Sequence, residues 1–592
     1  MDSRFTRAIT VFAVMTLVLL GGCGGSSSVD SPPPPPGASD GVGNGAGNPV
    51  AACDAALAFM PTSPAQGQAR TGLVCEINIP SPLNPADKIA FQVFEPLTLV
   101  GGQTYPLVLE GHGFSASRQT NDRGPGIPGL SAPIGALREA GYGIVSIDQA
   151  GHGETGGTIR VMDPDQEGRF LLAILDWLET NLDWYAVGPD LDAGEDNMLL
   201  GAIGPSYGGG YQYLIQAIDP KKRLDAIVPQ ITWNDLTYSL NPGGVIKILW
   251  TSLLFLTGQQ AGGGGNFDPF VNQTFLTGLA NNRIDEFGQD FFRYHGPGYF
   301  CDGTAVATNG GPGTAPGFAP VSPTAVHTLM FQGFRDTLFN FNEAWRNYEC
   351  LKGSGADVRL LTYQAPHNSL QLVPDPIALI TQPAGALDFD CGSINADEAT
   401  VAWFDRYLKG IVGAVDAVLG DNQVCLSLSP RDAVFVDEIT AGRAGNQFEV
   451  PTTATLAGVA LLGAPIPLYT APAGGAVMAG VPRIEIDLTE AIPGTVPNPE
   501  DVIVFVGTGR TRADQQLLWG LADNQVQPLR GLGRHEVDLP GIGERLAEGE
   551  SAGLLLYGLH EQYVVTGGLN VAAPAIGGVR IQGRALLPLL DP

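Results

Sequence analysis

Between residues 70 and 410, eight short apolar runs alternate with stretches of helical period: 74–79, 89–94, 106–110, 143–148, 198–203, 224–228, 328–332 and 358–363. In the intervals, Leu171, Ile174, Leu175 and Leu178 recur at the spacing of one helix face, as do Leu214, Ile215 and Ile218. Strands joined by crossover helices are covered on both sides, so the alternation predicts a mainly parallel, doubly wound α/β sheet. The interval from Pro229 to His327 is too long for one crossover. It carries the apolar run 246–256 and the glycines 262–265, and reads as a helical cap at about 230–326, inserted over the carboxyl edge of the sheet.

Within this frame, Gly204-Pro205-Ser206-Tyr207-Gly208 follows the run 198–203 and precedes a helical pattern. That is the strand-to-helix setting in which a G-x-S-x-G turn exposes a nucleophilic serine. Small neighbours let the chain fold back tightly, and the helix N-terminus favours the negative charge that develops there. A serine hydroxyl needs a base within hydrogen-bond reach and an acid to fix the tautomer of that base, in the chain order Ser, Asp, His for this fold. After Ser206 the histidines are 295, 327, 367, 535 and 560. His295 lies in the cap, His327 opens a strand, and His535 and His560 lie far beyond the α/β pattern. His367 follows the run 358–363 on the short loop Gln364-Ala365-Pro366 and is the expected base. Asp336, in Gly333-Phe334-Arg335-Asp336 after the run 328–332, is the expected acid, although an aspartate there could also serve as a turn or N-cap residue. Expected oxyanion donors are the backbone N–H groups of Tyr207 and of Phe114, the latter in the Gly111-His112-Gly113-Phe114 loop. His112 reads as a residue that braces this loop, and Gly151-His152-Gly153 as loop architecture beside the site.

Composition narrows the rest. Lys+Arg number 31 against 60 Asp+Glu, and a net charge of −29 repels phosphate backbones, which argues against nucleic-acid binding. Arg4 and Arg7 precede an uncharged apolar run, 9–20, that is too short to span a bilayer comfortably and reads as a secretory signal. It ends in Leu20-Gly21-Gly22-Cys23, which resembles a bacterial lipobox, so Cys23 is the expected site of lipidation. The expected organisation is a signal peptide at 1–22 and a Gly/Ser/Pro-rich tether at 23–50. An α/β catalytic domain at 51–415 and a β-sandwich at 416–592 complete it. The α/β domain closes on a helix at 399–408, capped by Gly410. The later residues turn to period two, with Ile484, Ile486 and Leu488 alternating with Arg483, Glu485 and Asp487. Six cysteines remain after Cys23, an even number suited to disulfides in an oxidising compartment, and Cys53 with Cys75 is the favoured pair.

The segments GPSYGGGYQ (204–212), LDAIVPQITWNDLTYSL (224–240), FQGFRDTLFNFNEAW (331–345) and WFDRYLKG (403–410) resemble the cocaine esterase and X-prolyl dipeptidyl aminopeptidase group of α/β-hydrolases. That resemblance implies an α/β-hydrolase domain with a helical cap and a jelly-roll sandwich, covering about residues 50–592. Its catalytic serine, aspartate and histidine fall on Ser206, Asp336 and His367. Cocaine-esterase-type relatives use a tyrosine side chain as an oxyanion donor in the early loop, where this chain has His112-Gly113-Phe114. The expectation is a lipid-anchored serine hydrolase of the bacterial cell envelope, acting on carboxylic esters, with no cofactor and no metal. Two alternatives stand beside it: an X-Pro dipeptidyl aminopeptidase, whose amine-binding carboxylate could be Asp235, Asp268 or Glu286, and a non-catalytic surface lipoprotein.

Overall fold

The computed structural model describes residues 51–53, 55–122, 133–189, 191, 196–261, 266–367, 389–439, 446–451, 455–456, 463–496, 498–512, 515–563 and 578–590. The expected signal peptide, tether and Cys23, and the glycines 262–265, lie outside the described residues.

Among the described residues, eleven strands form the central sheet: β1 (Ala51–Ala52), β2 (Leu73–Pro80), β3 (Lys88–Phe94), β4 (Leu107–Gly111), β5 (Gly143–Ile147), β6 (Leu200–Pro205), β7 (Ala226–Gln230), β8 (His327–Gly333), β9 (Val358–Tyr363), β10 (Val424–Ser429) and β11 (Asp432–Val436). Their order is β1-β2-β3-β5-β4-β6-β7-β8-β9-β10-β11. From β5 through β10 every neighbour is parallel, and antiparallel pairs occur at β2/β3, β3/β5 and β10/β11. Alternate residues divide between two cores. Leu107, Leu109, Val145 and Ile147 face one, and Val108, Ile144, Ile203 and Val228 face the other. Helices α1 (Ile134–Glu139), α2 (Glu167–Asn181) and α3 (Tyr207–Ile218) pack onto these faces: Leu171, Ile174, Leu175 and Leu178 of α2 join the first core, and Ile134 and Leu137 of α1 the second. This is the mainly parallel, doubly wound sheet that the alternation of runs predicts, in the α/β-hydrolase architecture that the resemblance implies.

The sheet does not stop at residue 415, where the sequence predicts the α/β domain to end. β10 pairs in parallel with β9, and β11 closes the edge as a hairpin. The physical reason is double-sided burial: Val424 packs into one core and Cys425 into the other, as in the central strands.

The insertion between β7 and β8 is helical: α4 (Leu236–Leu240), α5 (Ile248–Gly258), α6 (Pro269–Asn281), α7 (Glu286–Tyr294) and α8 (Pro297–Asp302). Asp235, Asp268 and Asp285 cap α4, α6 and α7 by accepting the N–H of Thr237, Phe270 and Gly288. The sheet then continues through α9 (Phe341–Leu351), α10 (Ala396–Leu408) and α11 (Ala414–Leu419). Beyond residue 446 all pairings among the described residues are antiparallel. One sheet orders Gln447–Val450, Val579–Leu586, Arg483–Glu490 and Gly533–Asp538; another orders Ala464–Thr470, Ser551–Tyr557, Ile503–Arg512 and Gln515–Leu521. Ile484, Ile486 and Leu488 point into the core between these sheets and meet Val504, Val506, Leu554 and Leu556, which makes a β-sandwich. Disulfides join Cys53 to Cys75, the pair favoured from the sequence, and also Cys301 to Cys350 and Cys391 to Cys425.

Candidate active site

Ser206 occupies the single residue between β6 and α3, with φ 56° and ψ −115°. A non-glycine residue at positive φ is strained, and the surroundings must hold it. The Ser206 N–H donates to the Gln230 carbonyl at 2.8 Å, and its own carbonyl accepts from Gly209 and Gly210 at 2.8 and 3.2 Å. Both motif glycines are required by one neighbour. A Cβ on Gly204 would come 2.3 Å from the Gly111 carbonyl oxygen at the end of β4, and one on Gly208 would come within 2.0 Å of the same atom.

His367 stands just beyond β9, with Nε2 2.9 Å from Ser206 Oγ and Nδ1 2.6 Å from Asp336 Oδ2. The arrangement reads as Ser206 donating its proton to Nε2, and Nδ1–H donating to the carboxylate. Asp336 is fully buried in the turn after β8, where Oδ1 accepts the N–H groups of Leu338 and Phe339, each at 2.9 Å. Trp250 of α5 and Phe339 meet the His367 ring edge-on, with centroids 5.8 and 5.1 Å away. Three residues chosen from motif and position thus form one continuous hydrogen-bonded chain.

Tyr207 is the first residue of α3, so its N–H is among those that find no acceptor within the helix. Phe114 shares a cavity wall with Ser206 and Tyr207, and its ring stands edge-on to Tyr207 at 5.4 Å. The loop carrying Phe114 is laced to the one after β5. His112 Nδ1 donates to the Gly113 carbonyl at 2.8 Å, its Nε2 accepts from the Gln149 N–H at 3.2 Å, and the Gln149 amide donates to the His112 carbonyl at 2.9 Å. Burial holds the His112 ring neutral, with its pKa pushed down to about 4. His152 packs 5.1 Å from His112 and is pushed down to about 3, by burial first and by that neighbour second. Tyr207 is tethered as well: its hydroxyl accepts from the Met162 N–H at 3.2 Å and faces Glu167 Oε1 at 3.5 Å.

A cavity of about 760 Å³, its mouth included, opens from Ser206 into the cap. Leu254 and Phe255 of α5, Val271 and Phe275 of α6, Phe267 and Leu338 contribute to a wall that is apolar almost throughout. The rings of Phe255 and Phe275 stack at 4.1 Å, and those of Phe255 and Phe267 at 5.7 Å. The three carboxylates considered for binding an amine are elsewhere. Asp235 and Asp268 cap helices, Asp268 also pairing with Arg160 at 2.9 Å, and Glu286 is exposed on α7; none lines the cavity. Phe267 and Phe275 escape a reading of the sequence alone, because aromatic residues spaced along a cap look the same whether they pack a helix or line a pocket.

Residues 86–262 match the family model described as X-Pro dipeptidyl-peptidase (S15 family). The fold as a whole is similar to two crystal structures of a CocE/NonD family hydrolase from Staphylococcus aureus. They have TM-scores of 0.55 and 0.54, each at 11% identity, covering 87% of this chain and 92% and 93% of the other. Acylaminoacyl peptidase from Pyrococcus horikoshii aligns over 57% of this chain and 42% of its own, at 13% identity and a TM-score of 0.32. No curated protein sequence is matched.

Proposed function

We propose, from the premise that this chain is a hydrolase of the CocE/NonD and X-Pro dipeptidyl-peptidase-like group, that it cleaves carboxylic esters with an apolar acyl group. The observation that carries this reading is the cavity. Among the described residues, the space beside Ser206 is walled mainly by aliphatic and aromatic side chains, and none of them is a carboxylate that could receive the charged amine of an X-Pro peptide. Apolar walls favour an acyl chain by about 0.8 kcal/mol for each methylene taken from water, and they strengthen every hydrogen bond made to the reacting carbonyl.

In this mechanism Ser206 Oγ attacks the ester carbonyl while His367 Nε2 takes the hydroxyl proton. Asp336 holds His367 in the required tautomer and stabilises the imidazolium. The N–H groups of Tyr207 and Phe114 donate to the tetrahedral oxyanion. Collapse expels the alkoxide, which leaves as the alcohol with the proton from His367. Water, deprotonated by His367, then releases the acid from Ser206. The same reading anchors the protein to the bacterial cell envelope through lipidated Cys23; the lipobox-like segment supports this, and so do three disulfides of a kind that persist in oxidising compartments.

The test compares p-nitrophenyl esters of increasing chain length with Ala-Pro-p-nitroanilide. Ester turnover is expected, falling on the order of 10⁶-fold in Ser206→Ala, with the anilide untouched. Anilide turnover exceeding that of every ester would replace this reading with an exopeptidase. A folded protein that a fluorophosphonate leaves unlabelled at Ser206 would make it a binding lipoprotein.

A further inference from the structure

We propose that the β-sandwich and the cap together position the catalytic acid, so that the sandwich is a working part of the active site although none of its described residues lines the cavity. The proposal rests on the reading of Asp336 as that acid.

The turn from Phe334 to Leu338 leaves the edge of the sheet after β8, and its buried backbone carbonyls need donors. Four of the five find them outside the α/β sheet. Gln525, in the sandwich, donates both protons of its side-chain amide, to the Phe334 carbonyl at 2.8 Å and the Asp336 carbonyl at 2.9 Å. Lys247, just ahead of α5 in the cap, donates from Nζ to the Thr337 carbonyl at 2.9 Å and the Leu338 carbonyl at 3.0 Å. Trp250, one helical turn further on, adds an indole N–H to Thr337 Oγ1 at 3.0 Å and sets its ring against His367. The turn is thus clamped on one flank by the sandwich and on the other by the cap.

The segment that delivers Gln525 is itself held in an unfavourable conformation. Asp523 and Asn524, the two residues before it, both have positive φ, 50° and 60°. Such strain persists only where the surroundings over-determine it. Asp523 is buried and accepts the Gly543 N–H at 2.8 Å, while Arg335, within the turn, lies 3.8 Å from its carboxylate. Asn342 of α9 extends the seam, accepting the Gly541 N–H at 2.8 Å and donating to the Leu539 carbonyl at 3.0 Å.

The consequence for chemistry follows from the direction of the Asp336 carboxylate. Oδ1 is fixed by the N–H groups of Leu338 and Phe339, in the same turn whose carbonyls Lys247 and Gln525 hold, so a shift of the turn rotates Oδ2 away from His367 Nδ1. A misplacement of about 1 Å in such a group costs roughly 100-fold in rate.

Gln525→Met keeps the length of the side chain and removes both donors; Lys247→Met does the same from the cap side and leaves the sandwich untouched. Val504→Ala, in the sandwich core and away from the turn, is the control for lost stability. In the full chain, each Met variant is expected to lower kcat for a p-nitrophenyl ester roughly 10- to 100-fold, with KM within about twofold. Val504→Ala should lower Tm and leave kcat in place. The proposal is overturned if either folded Met variant keeps wild-type kcat, or if Val504→Ala, at equal loss of Tm, loses kcat equally. A wild-type protein that neither turns over ester nor takes up fluorophosphonate would instead bring down the function proposed above, and this inference with it.

Discussion

At the scale of single residues, the site is a set of groups held where they would not rest unaided. Ser206 has a positive φ that a serine in a free chain avoids, and the Gly111 carbonyl leaves no room for a Cβ at 204 or 208. His112 is buried as a neutral ring whose two nitrogens are both engaged, so protonation must break its contact with the Gln149 N–H. Its pKa is lowered by burial from an unfolded value near 6.5 to about 4. The unfolded chain therefore binds the proton first as pH falls, and the stability present above pH 6.5 is lost as pH drops toward 4. Between pH 7 and pH 4 the wild type should lose roughly 3 kcal/mol more than His112→Gln, measured by denaturant unfolding at both pH values. Equal losses would mean that His112 is not held neutral. Ser206, Asp336 and His367 were legible because order along the chain, strand ends and a motif select them from few candidates. Lys247 and Gln525 were not, since a lysine or glutamine that donates to backbone carbonyls about 90 and 190 residues away leaves no local pattern.

Elements carry a different kind of information. The runs at 74–79 through 358–363 all became strands of one sheet, because a strand set between two cores is largely apolar, and most of these runs are separated by helical periods. The run beginning at Val424 has that same pattern, but no helix separates it from the hairpin that follows, and only its pairing with β9 assigns it to the sheet rather than the sandwich. An apolar helix such as α5 can pack against a core or wall a pocket, and it serves as both: Trp250 packs on His367, while Leu254 and Phe255 face the cavity. Enlarging the ring at the wall should therefore shorten the acyl chain that fits. Phe255→Trp is expected to shift the best p-nitrophenyl ester to a shorter chain. Each methylene excluded from the cavity should lower kcat/KM about fourfold, the equivalent of about 0.8 kcal/mol. An unchanged order of chain lengths across the series would show that the acyl group lies elsewhere.

The whole molecule is three layers of structure meeting at one turn, and how firmly the cap is held decides whether that meeting survives. Cys301 at the end of α8 is bonded to Cys350 in α9, which ties the cap to the α/β body across a separation of 49 residues. In the chain-entropy picture a loop of that length stabilises the folded state by about 4 kcal/mol, mainly by restricting the unfolded chain. Other contacts fix where the cap sits. The Trp233 indole donates to the His295 carbonyl at 3.0 Å, the Gly298 N–H donates to the Asn234 carbonyl at 2.9 Å, and the Asn234 amide donates to Asn347 at 2.9 Å. Position and stability should therefore separate. Replacing both cysteines by serine is expected to cost about 4 kcal/mol in the unfolding transition that releases the cap, while kcat and KM for a short ester stay within about twofold. A rise in KM with no loss of stability would reverse the assignment: the disulfide would then set the shape of the cavity, and the hydrogen bonds of Trp233 and Asn234 would supply the stability.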